Sequence, residues 1–146
     1  MIYLKKFFLL LIITFAITLI PTLFIDFNTS NFIKPALFPP KILFPVVWNI
    51  LYILMTISLV ITTKYDNDVY NIYFKQLVVN ALWSPLFFGF KWYFLAFLWL
   101  ILLFVLVIKM IYQMRLKSSV AAYLQIPYVI WLIFAGYLNL FVYILN

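Results

Sequence analysis

The chain consists of five long apolar runs separated by short polar interruptions. Within the runs, apolar residues are continuous and do not alternate with polar ones, which indicates helices; a membrane β-barrel would show alternating segments of about ten residues. A helix needs about 20 mostly apolar residues to cross roughly 30 Å of hydrocarbon. The pattern therefore predicts five transmembrane helices, near residues 7–25, 42–63, 69–90, 92–113 and 118–145.

The connections between the runs predict a compact bundle of antiparallel helices. The longest connection, DFNTSNFIKPALFPPK at 26–41, holds three prolines and several turn-forming residues, so it cannot be helical throughout. Pro85 and Pro127 fall inside the third and fifth predicted helices. Each removes a backbone hydrogen bond, which frees the carbonyl of Ala81 or Tyr123. We therefore expect kinks at both prolines that face protein or a cavity, not lipid.

Composition supports the membrane interpretation. Of the 146 residues, 69 % are hydrophobic and 9 % charged, and the mean hydropathy is +1.20, values that exclude an ordinary soluble domain. Lysines precede the first run as in a secretory signal, but its apolar core is longer and no small-residue cleavage site follows, so we expect a retained helix. The chain is predicted to be one all-α membrane domain, residues 1–146.

The net charge of +7 follows from basic residues at the predicted helix ends, not from a patch that would bind nucleic acid. The positive-inside rule predicts a cytoplasmic N-terminus and an external C-terminus, which suits a bacterial cytoplasmic membrane. The predicted inner end carries Lys5, Lys6, Lys64, Lys75, Lys109, Arg115 and Lys117, and the outer end Lys34, Lys41 and Lys91.

Three predicted helices carry polar and aromatic residues on one face, a pattern that should not contact lipid. On the second helix these are Trp48, Tyr52, Met55 and Leu59; on the third, Gln76, Asn80, Trp83, Ser84 and Phe87; on the fifth, Gln125, Tyr128, Trp131, Ala135 and Asn139. One interpretation is that the amides join helices by hydrogen bonds, although such bonds average only about 0.6 kcal/mol in bilayers. The other is an aromatic cavity for a large flat apolar molecule, a use that suits stacked rings.

Conventional catalysis is not predicted. Histidine and cysteine are absent, and Asp26, Asp66 and Asp68 all fall in connections. No carboxylate pair, nucleophile triad or metal-ligand cluster can therefore be assembled inside the bundle from these residue types.

Three segments resemble the TspO/MBR family, which comprises the tryptophan-rich sensory proteins and the mitochondrial translocator protein. They are FPPKILFPVVWNILYILM at 38–55, QLVVNALWSPLFFG at 76–89 and IPYVIWLIFAGYLNLFVYILN at 126–146. Their order and spacing match from about Lys34 onwards, and N-x-x-W-S-P-L-F-F-G is the most specific motif.

The resemblance implies a five-helix bundle, commonly dimeric, with a pocket near the first loop that binds porphyrins such as protoporphyrin IX. No obligatory cofactor is implied. Trp48 and Trp131 match the paired pocket tryptophans, with Asn80, Trp83, Ala135 and the loop 34–40 around them. Tyr52, Phe87 and Tyr128 complete the predicted ligand-binding set from the polar-aromatic faces. A homodimer is expected from the resemblance alone, because the chain has no G-x-x-x-G motif, and small-residue pairs such as Thr14 and Thr18 are common by chance.

The sequence also departs from the family pattern. Asn28 and Thr29 stand where an aromatic pair is usual in the first loop, and Trp99 stands where the family often has an acidic residue. The cholesterol-recognition pattern is missing, since Leu140 is near the tyrosine position and no basic residue follows Tyr143. We therefore do not predict cholesterol binding.

Three functional hypotheses follow. The first is a sensor or scavenger of porphyrins that regulates tetrapyrrole metabolism or a stress response. The second is a light-dependent porphyrin-degrading enzyme, in which an excited ligand oxidises Trp48 or Trp131 or is degraded beside them. The third is a transporter of hydrophobic small molecules or a structural membrane protein.

Overall fold

The computed structural model describes residues 1–25 and 32–146, which form an all-helical bundle. The helices are α1 (Ile2–Leu19), α2 (Leu43–Thr63), α3 (Val69–Ser84), α4 (Tyr93–Arg115), α5 (Ser119–Tyr123) and α6 (Ile126–Leu145). A 3₁₀ turn, Ile20–Phe24, extends α1, and a π-helical turn, Pro85–Gly89, extends α3. The predicted all-α fold with five helical segments is confirmed, with α5 and α6 together forming the fifth.

Four segments are long and apolar enough to cross a bilayer, namely Ile2–Phe24, Leu43–Thr63, Tyr93–Arg115 and Ser119–Leu145. The α3 segment is not among them. Its α-helical part has 16 residues, and it carries Lys75 together with the amides Asn71, Gln76 and Asn80. The neighbouring helices cover two of these polar side chains, because Gln76 and Asn80 are buried against them and not exposed to lipid.

The fifth helix differs from its predicted form. It was expected over 118–145 with a kink at Pro127, and the structure has a two-residue break there, because α5 ends at Tyr123 and α6 begins at Ile126. Pro127 lies in the first turn of α6, where a missing N–H is tolerated, so the expected kink takes the form of a break before the proline and not of a bend within one helix. Gln125 fills the break and donates from Nε2 to Ser58 Oγ (2.7 Å) and to the carbonyl of Leu54 (3.2 Å).

The predicted distortion at Pro85 is confirmed, and it takes the form of a π-helical turn. The amide of Phe90 donates to the carbonyl of Pro85 over 2.8 Å, and the amide of Trp92 donates to the carbonyl of Leu86 over 3.0 Å. Beyond the proline the chain therefore continues with wider hydrogen bonds than those of an α-helix. Phe87, inside this turn, is buried, so the distorted backbone faces protein.

The helices close into a ring. Helix α1 packs against α2 and α3, α3 also packs against α4, and α4 packs against α5 and α6, while α5 returns to α2. Helix α4 acts as scaffold, because one side is buried and the opposite side exposes aliphatic residues. The buried side consists of Ala96, Leu100, Leu103, Val107, Met110 and Met114.

The small-residue pair Thr14 and Thr18 lies inside the bundle. Both residues are buried, and Thr14 Oγ1 shares a 2.6 Å hydrogen bond with the hydroxyl of Tyr73 on α3. Thr14 therefore joins α1 to α3, and neither buried threonine is available as a dimer contact. The homodimer stays a prediction from the family resemblance.

The loop before α2 is fastened to the C-terminal half of α6. Asn146 accepts from the amide of Ile33 over 2.8 Å and donates to the Ile33 carbonyl over 3.0 Å. The hydroxyl of Tyr137 donates to the carbonyl of Ala36 over 2.7 Å. Phe32 adds edge contacts to Phe38, Phe87 and Tyr93. Asn28 and Thr29, where the family has an aromatic pair, lie outside the described residues.

Replacing Asn146 with alanine should loosen this loop without unfolding the bundle. The change removes both side-chain hydrogen bonds to Ile33, each exposed to solvent, so local opening should become easier while the core is unaltered. We expect amide exchange in the segment 32–38 to accelerate about fivefold, measured by hydrogen–deuterium exchange mass spectrometry. Unchanged exchange in 32–38 would show that the aromatic contacts of Phe32 hold the loop by themselves.

Candidate ligand cavity

A cavity of about 580 Å³ lies between α1, α2 and α3, beneath the end of the first loop. Its walls are mainly apolar and aromatic, with a few polar side chains. The lining residues are Thr18, Leu19, Thr22, Lys41, Ile42, Phe44, Pro45, Trp48, Asn49, Tyr52, Asn80, Ala81, Trp83, Ser84 and Phe88. A concave site with mostly apolar walls and a few polar groups is typical of small-molecule binding.

Stacked rings form the α2 wall of the cavity. Trp48 and Tyr52, one turn apart on α2, have ring centroids 5.7 Å apart and planes inclined by 23°. Behind Trp48, Trp131 makes an edge contact at 6.3 Å and Tyr128 another at 6.1 Å. Two rings from α6 thus hold Trp48 in place, and Trp48 presents part of its surface to the cavity.

A chain of hydrogen bonds joins the α2 and α3 walls to α6. The hydroxyl of Tyr52 donates to Asn80 Oδ1 (3.1 Å), Asn80 Nδ2 donates to the hydroxyl of Tyr128 (2.7 Å), and that hydroxyl donates to Gln76 Oε1 (2.8 Å). Four buried side chains from three helices therefore satisfy one another. The interpretation of the amides as interhelical contacts is confirmed here.

A second chain fixes the α3 wall. Trp83 Nε1 donates to Asn139 Oδ1 over 2.9 Å, and Asn139 Nδ2 donates to the carbonyl of Tyr93 over 2.7 Å. The indole of Trp83 also stacks on Phe87, with centroids 5.1 Å apart. The same amides that connect helices thus hold the aromatic walls, so the two interpretations of the polar faces are compatible.

The eight residues predicted to bind a ligand divide into two sets. Those that line the cavity are Trp48, Tyr52, Asn80 and Trp83. The others lie in the packing behind the walls, and they are Phe87, Tyr128, Trp131 and Ala135. Sequence reasoning expected the fifth helix to form the third wall, whereas α1 forms it.

The α1 wall was missed at the sequence level. Thr18 and Thr22 lie one turn apart, and their hydroxyls donate back to the carbonyls of Thr14 (2.9 Å) and Leu19 (2.6 Å). Threonines at 14, 18 and 22 follow the four-residue spacing of a single helix face. That spacing could have identified the buried face of α1. It is a weak indication, however, because hydroxyls that bond to their own helix backbone can also face lipid.

Trp131 combines burial with an unpaired donor. Its Nε1 atom is inaccessible and has no hydrogen-bond partner among the described residues. Buried indoles usually find such a partner, so this donor is an unsatisfied group beside the cavity wall.

The opposite end of the bundle holds a second cavity of about 550 Å³ with a different character. Its walls are polar and charged, and Lys117 Nζ lies 3.5 Å from Asp66 Oδ2. The pKa of the Asp66 carboxyl is lowered, mainly by the amide of Asp68, which donates to it over 3.0 Å, and further by Lys117. Among the described residues, no three acidic, histidine or cysteine side chains come together as metal ligands.

Comparison with known proteins decides the family. The sequence profile described as the TspO/MBR family matches residues 7–145, nearly the whole chain. The chain belongs to the TspO/MBR family. It is an integral membrane protein, and the fold expected of that family, a bundle of five transmembrane helices, agrees with the five helical segments described above.

Individual TspO/MBR relatives come from bacteria and archaea. Protein CrtK of Rhodobacter capsulatus is 37 % identical over 119 residues, covering 77 % of this chain and 74 % of the relative. Tryptophan-rich protein TspO of Chlorobaculum tepidum is 32 % identical over 123 residues, covering 80 % and 78 %. Tryptophan-rich protein TspO of Archaeoglobus fulgidus is 38 % identical over 117 residues, covering 77 % and 76 %.

Proposed function

We propose that this protein is a membrane sensor or scavenger that binds porphyrin-type tetrapyrroles, such as protoporphyrin IX, in the cavity between α1, α2 and α3. The observation that carries the proposal is the cavity itself. Its volume of about 580 Å³ falls within the range of roughly 300–1,000 Å³ typical of small-molecule sites. Flat rings from two helices, Trp48 and Tyr52 on α2 and Trp83 on α3, offer stacking surfaces for a flat guest.

The type of surface favours a large apolar ligand over an ion. The described lining residues include no carboxylate, and the buried amide of Asn80 is already hydrogen-bonded to two tyrosines. Carriers of charged solutes usually place ionisable groups at mid-membrane. Regulation of tetrapyrrole metabolism or of a stress response would follow from ligand occupancy, which fits the names of tryptophan-rich sensory relatives such as the Cereibacter sphaeroides protein.

Fluorescence quenching tests the proposal. Purified protein in lipid nanodiscs, titrated with protoporphyrin IX, should show saturable quenching of tryptophan fluorescence, because the stacked tryptophans lie at the cavity wall. The partitioning of porphyrin into lipid is measured separately, from porphyrin absorbance in nanodiscs that lack this protein. Quenching that rises linearly with porphyrin and never saturates, in protein shown to be folded by circular dichroism, would contradict a binding site and favour a structural role.

The contact between Trp48 and Trp131 favours a second candidate, light-dependent breakdown of bound porphyrin. Their ring centroids are 6.3 Å apart, so a photo-oxidised Trp48 would have a second indole in contact. Under illumination, the wild-type protein should bleach protoporphyrin IX faster than the Trp131→Phe variant. Equal bleaching rates in wild type, variant and empty nanodiscs would eliminate the photochemical activity and leave the sensor proposal intact.

A further inference from the structure

One charged side chain occurs among the described residues that line the cavity. Lys41 lies at the end of the first loop, directly before α2, and is exposed. Pro45 and Asn49 follow at four-residue intervals and also line the cavity, and both are exposed. Pro45 and Asn49 share one face of α2, and Lys41 precedes that helix by two residues. The cavity therefore has a polar edge at its mouth and an aromatic interior.

In the described part of the chain, no acidic side chain lies near the charge of Lys41. The side-chain carboxylates there belong to Asp66 and Asp68, in the connection between α2 and α3. Helix α2 has 21 residues, and Lys41 precedes its start whereas both aspartates follow its end. They are therefore at opposite ends of the bundle, roughly 30 Å apart at 1.5 Å per helical residue.

We propose that the cavity selects flat apolar molecules that carry a carboxylate, and that Lys41 and Asn49 bind this carboxylate at the mouth. The inference rests on the proposed function and adds the ligand class. A lysine supplies an ammonium with three donors, and an asparagine supplies an amide with two. The apolar body of the ligand would lie against Trp48 and Trp83, while its charged edge stays near the membrane surface.

The surroundings of Lys41 set the size of the expected effect. Ion pairs in full contact with water contribute little, whereas hydrogen bonds to charged groups in partly enclosed sites contribute more. The mouth of the cavity is intermediate between full contact with water and a partly enclosed site, because Lys41 is exposed but borders an apolar cavity. We therefore expect about a tenfold preference for a carboxylated ligand over the same ligand without its charge.

A matched pair of ligands tests the inference. Protoporphyrin IX carries carboxylates, and its dimethyl ester has the same ring system without them. Both are titrated into wild-type protein and into Lys41→Gln, Lys41→Arg and Lys91→Gln, in nanodiscs of zwitterionic lipid. Lys91 serves as control, because it is a second exposed lysine that does not line the cavity.

The four proteins should differ in the ratio of their affinities for the acid and the ester. Wild type and Lys91→Gln should bind the acid about tenfold more tightly than the ester, and Lys41→Arg should retain most of this difference. In Lys41→Gln the ratio should fall below about twofold, through weaker binding of the acid with unchanged binding of the ester. High salt should reduce the wild-type ratio.

Other outcomes would overturn the inference. Equal affinity of acid and ester in wild type would show that the cavity does not recognise the carboxylate. A tenfold ratio that persists in Lys41→Gln would assign recognition to other residues. In both cases saturable binding would leave the proposed function standing, whereas failure of both compounds to bind saturably would reject the proposed function together with the inference.

Discussion

The Ala81→Trp variant is expected to bind protoporphyrin IX at least about a hundredfold more weakly than the wild type, while the bundle stays folded. Ala81 lies on α3 between Asn80 and Trp83 and lines the cavity. An indole in place of its methyl group can extend into the existing void and occupy the space that a flat ligand needs. A loss of a hundredfold corresponds to about 2.7 kcal/mol of binding free energy, which steric exclusion readily exceeds.

The measurement is the quenching titration described above, made beside a matched control. Val105→Trp places the same side chain on α4, at a position that is 45 % exposed and lies outside the cavity. The control should bind as the wild type does, and both variants should keep their circular dichroism spectra and their thermal midpoints within a few degrees. If Ala81→Trp folded normally and bound porphyrin with wild-type affinity, the ligand site would have to lie elsewhere on the protein.

The second large effect concerns stability. The Asn80→Leu variant should lose about 1.5 kcal/mol of unfolding free energy, because a similar volume is kept while the Tyr52 hydroxyl loses its acceptor and the Tyr128 hydroxyl loses its donor. Interhelical hydrogen bonds in bilayers average about 0.6 kcal/mol and reach about 1.7 kcal/mol. Asn80 should lie near the upper limit, because its replacement removes two bonds and takes the acceptor Asn80 Oδ1 from the buried Tyr52 hydroxyl, while Tyr128 keeps its bond to Gln76.

Reversible unfolding in mixed micelles provides the measurement. Thr22→Val is the control, since the Thr22 hydroxyl is exposed and bonds only within its own turn, and it should change the unfolding free energy by less than about 0.5 kcal/mol. Combining Asn80→Leu with Tyr128→Phe should cost less than the sum of the two single changes, because they remove the same hydrogen bond. Strict additivity would mean that the two side chains are energetically independent.

Much of the fold was readable from local pattern. The continuous apolar runs predicted all five helical segments, and the period of 3.6 residues placed Gln76, Asn80 and Trp83 on one buried face. A distortion at Pro127 was predicted, but its form as a break was not, because the proline is compatible both with a kinked helix interior and with the first turn of a new helix. Hydropathy continues unchanged across the break, so only the packing of Gln125 against α2 distinguishes two helices from one kinked helix.

The site was predicted less completely than the fold. Residue types identified Trp48, Tyr52, Asn80 and Trp83, but the partner of Trp83, Asn139, is 56 residues away in sequence. Amphipathic faces show which side of a helix is buried without specifying which helix covers it. The order in which α1, α2 and α3 enclose the cavity therefore had to come from tertiary packing, and so did the position of Trp131 behind Trp48.

The participation of α1 in the cavity separates fold stability from ligand specificity, two requirements that often conflict in a binding protein. The tryptophans and amides of α2, α3 and α6 hold one another through hydrogen bonds, so changing them alters stability as well as the pocket. On the α1 wall, Thr18 is buried and its hydroxyl also interacts with Tyr52, whereas Leu19 is 47 % exposed and the Thr22 hydroxyl bonds only within its own turn. Ligand preference can therefore diverge through substitutions at Leu19 and Thr22 at little thermodynamic cost, which gives evolution, or a protein engineer, two positions at which to adjust specificity.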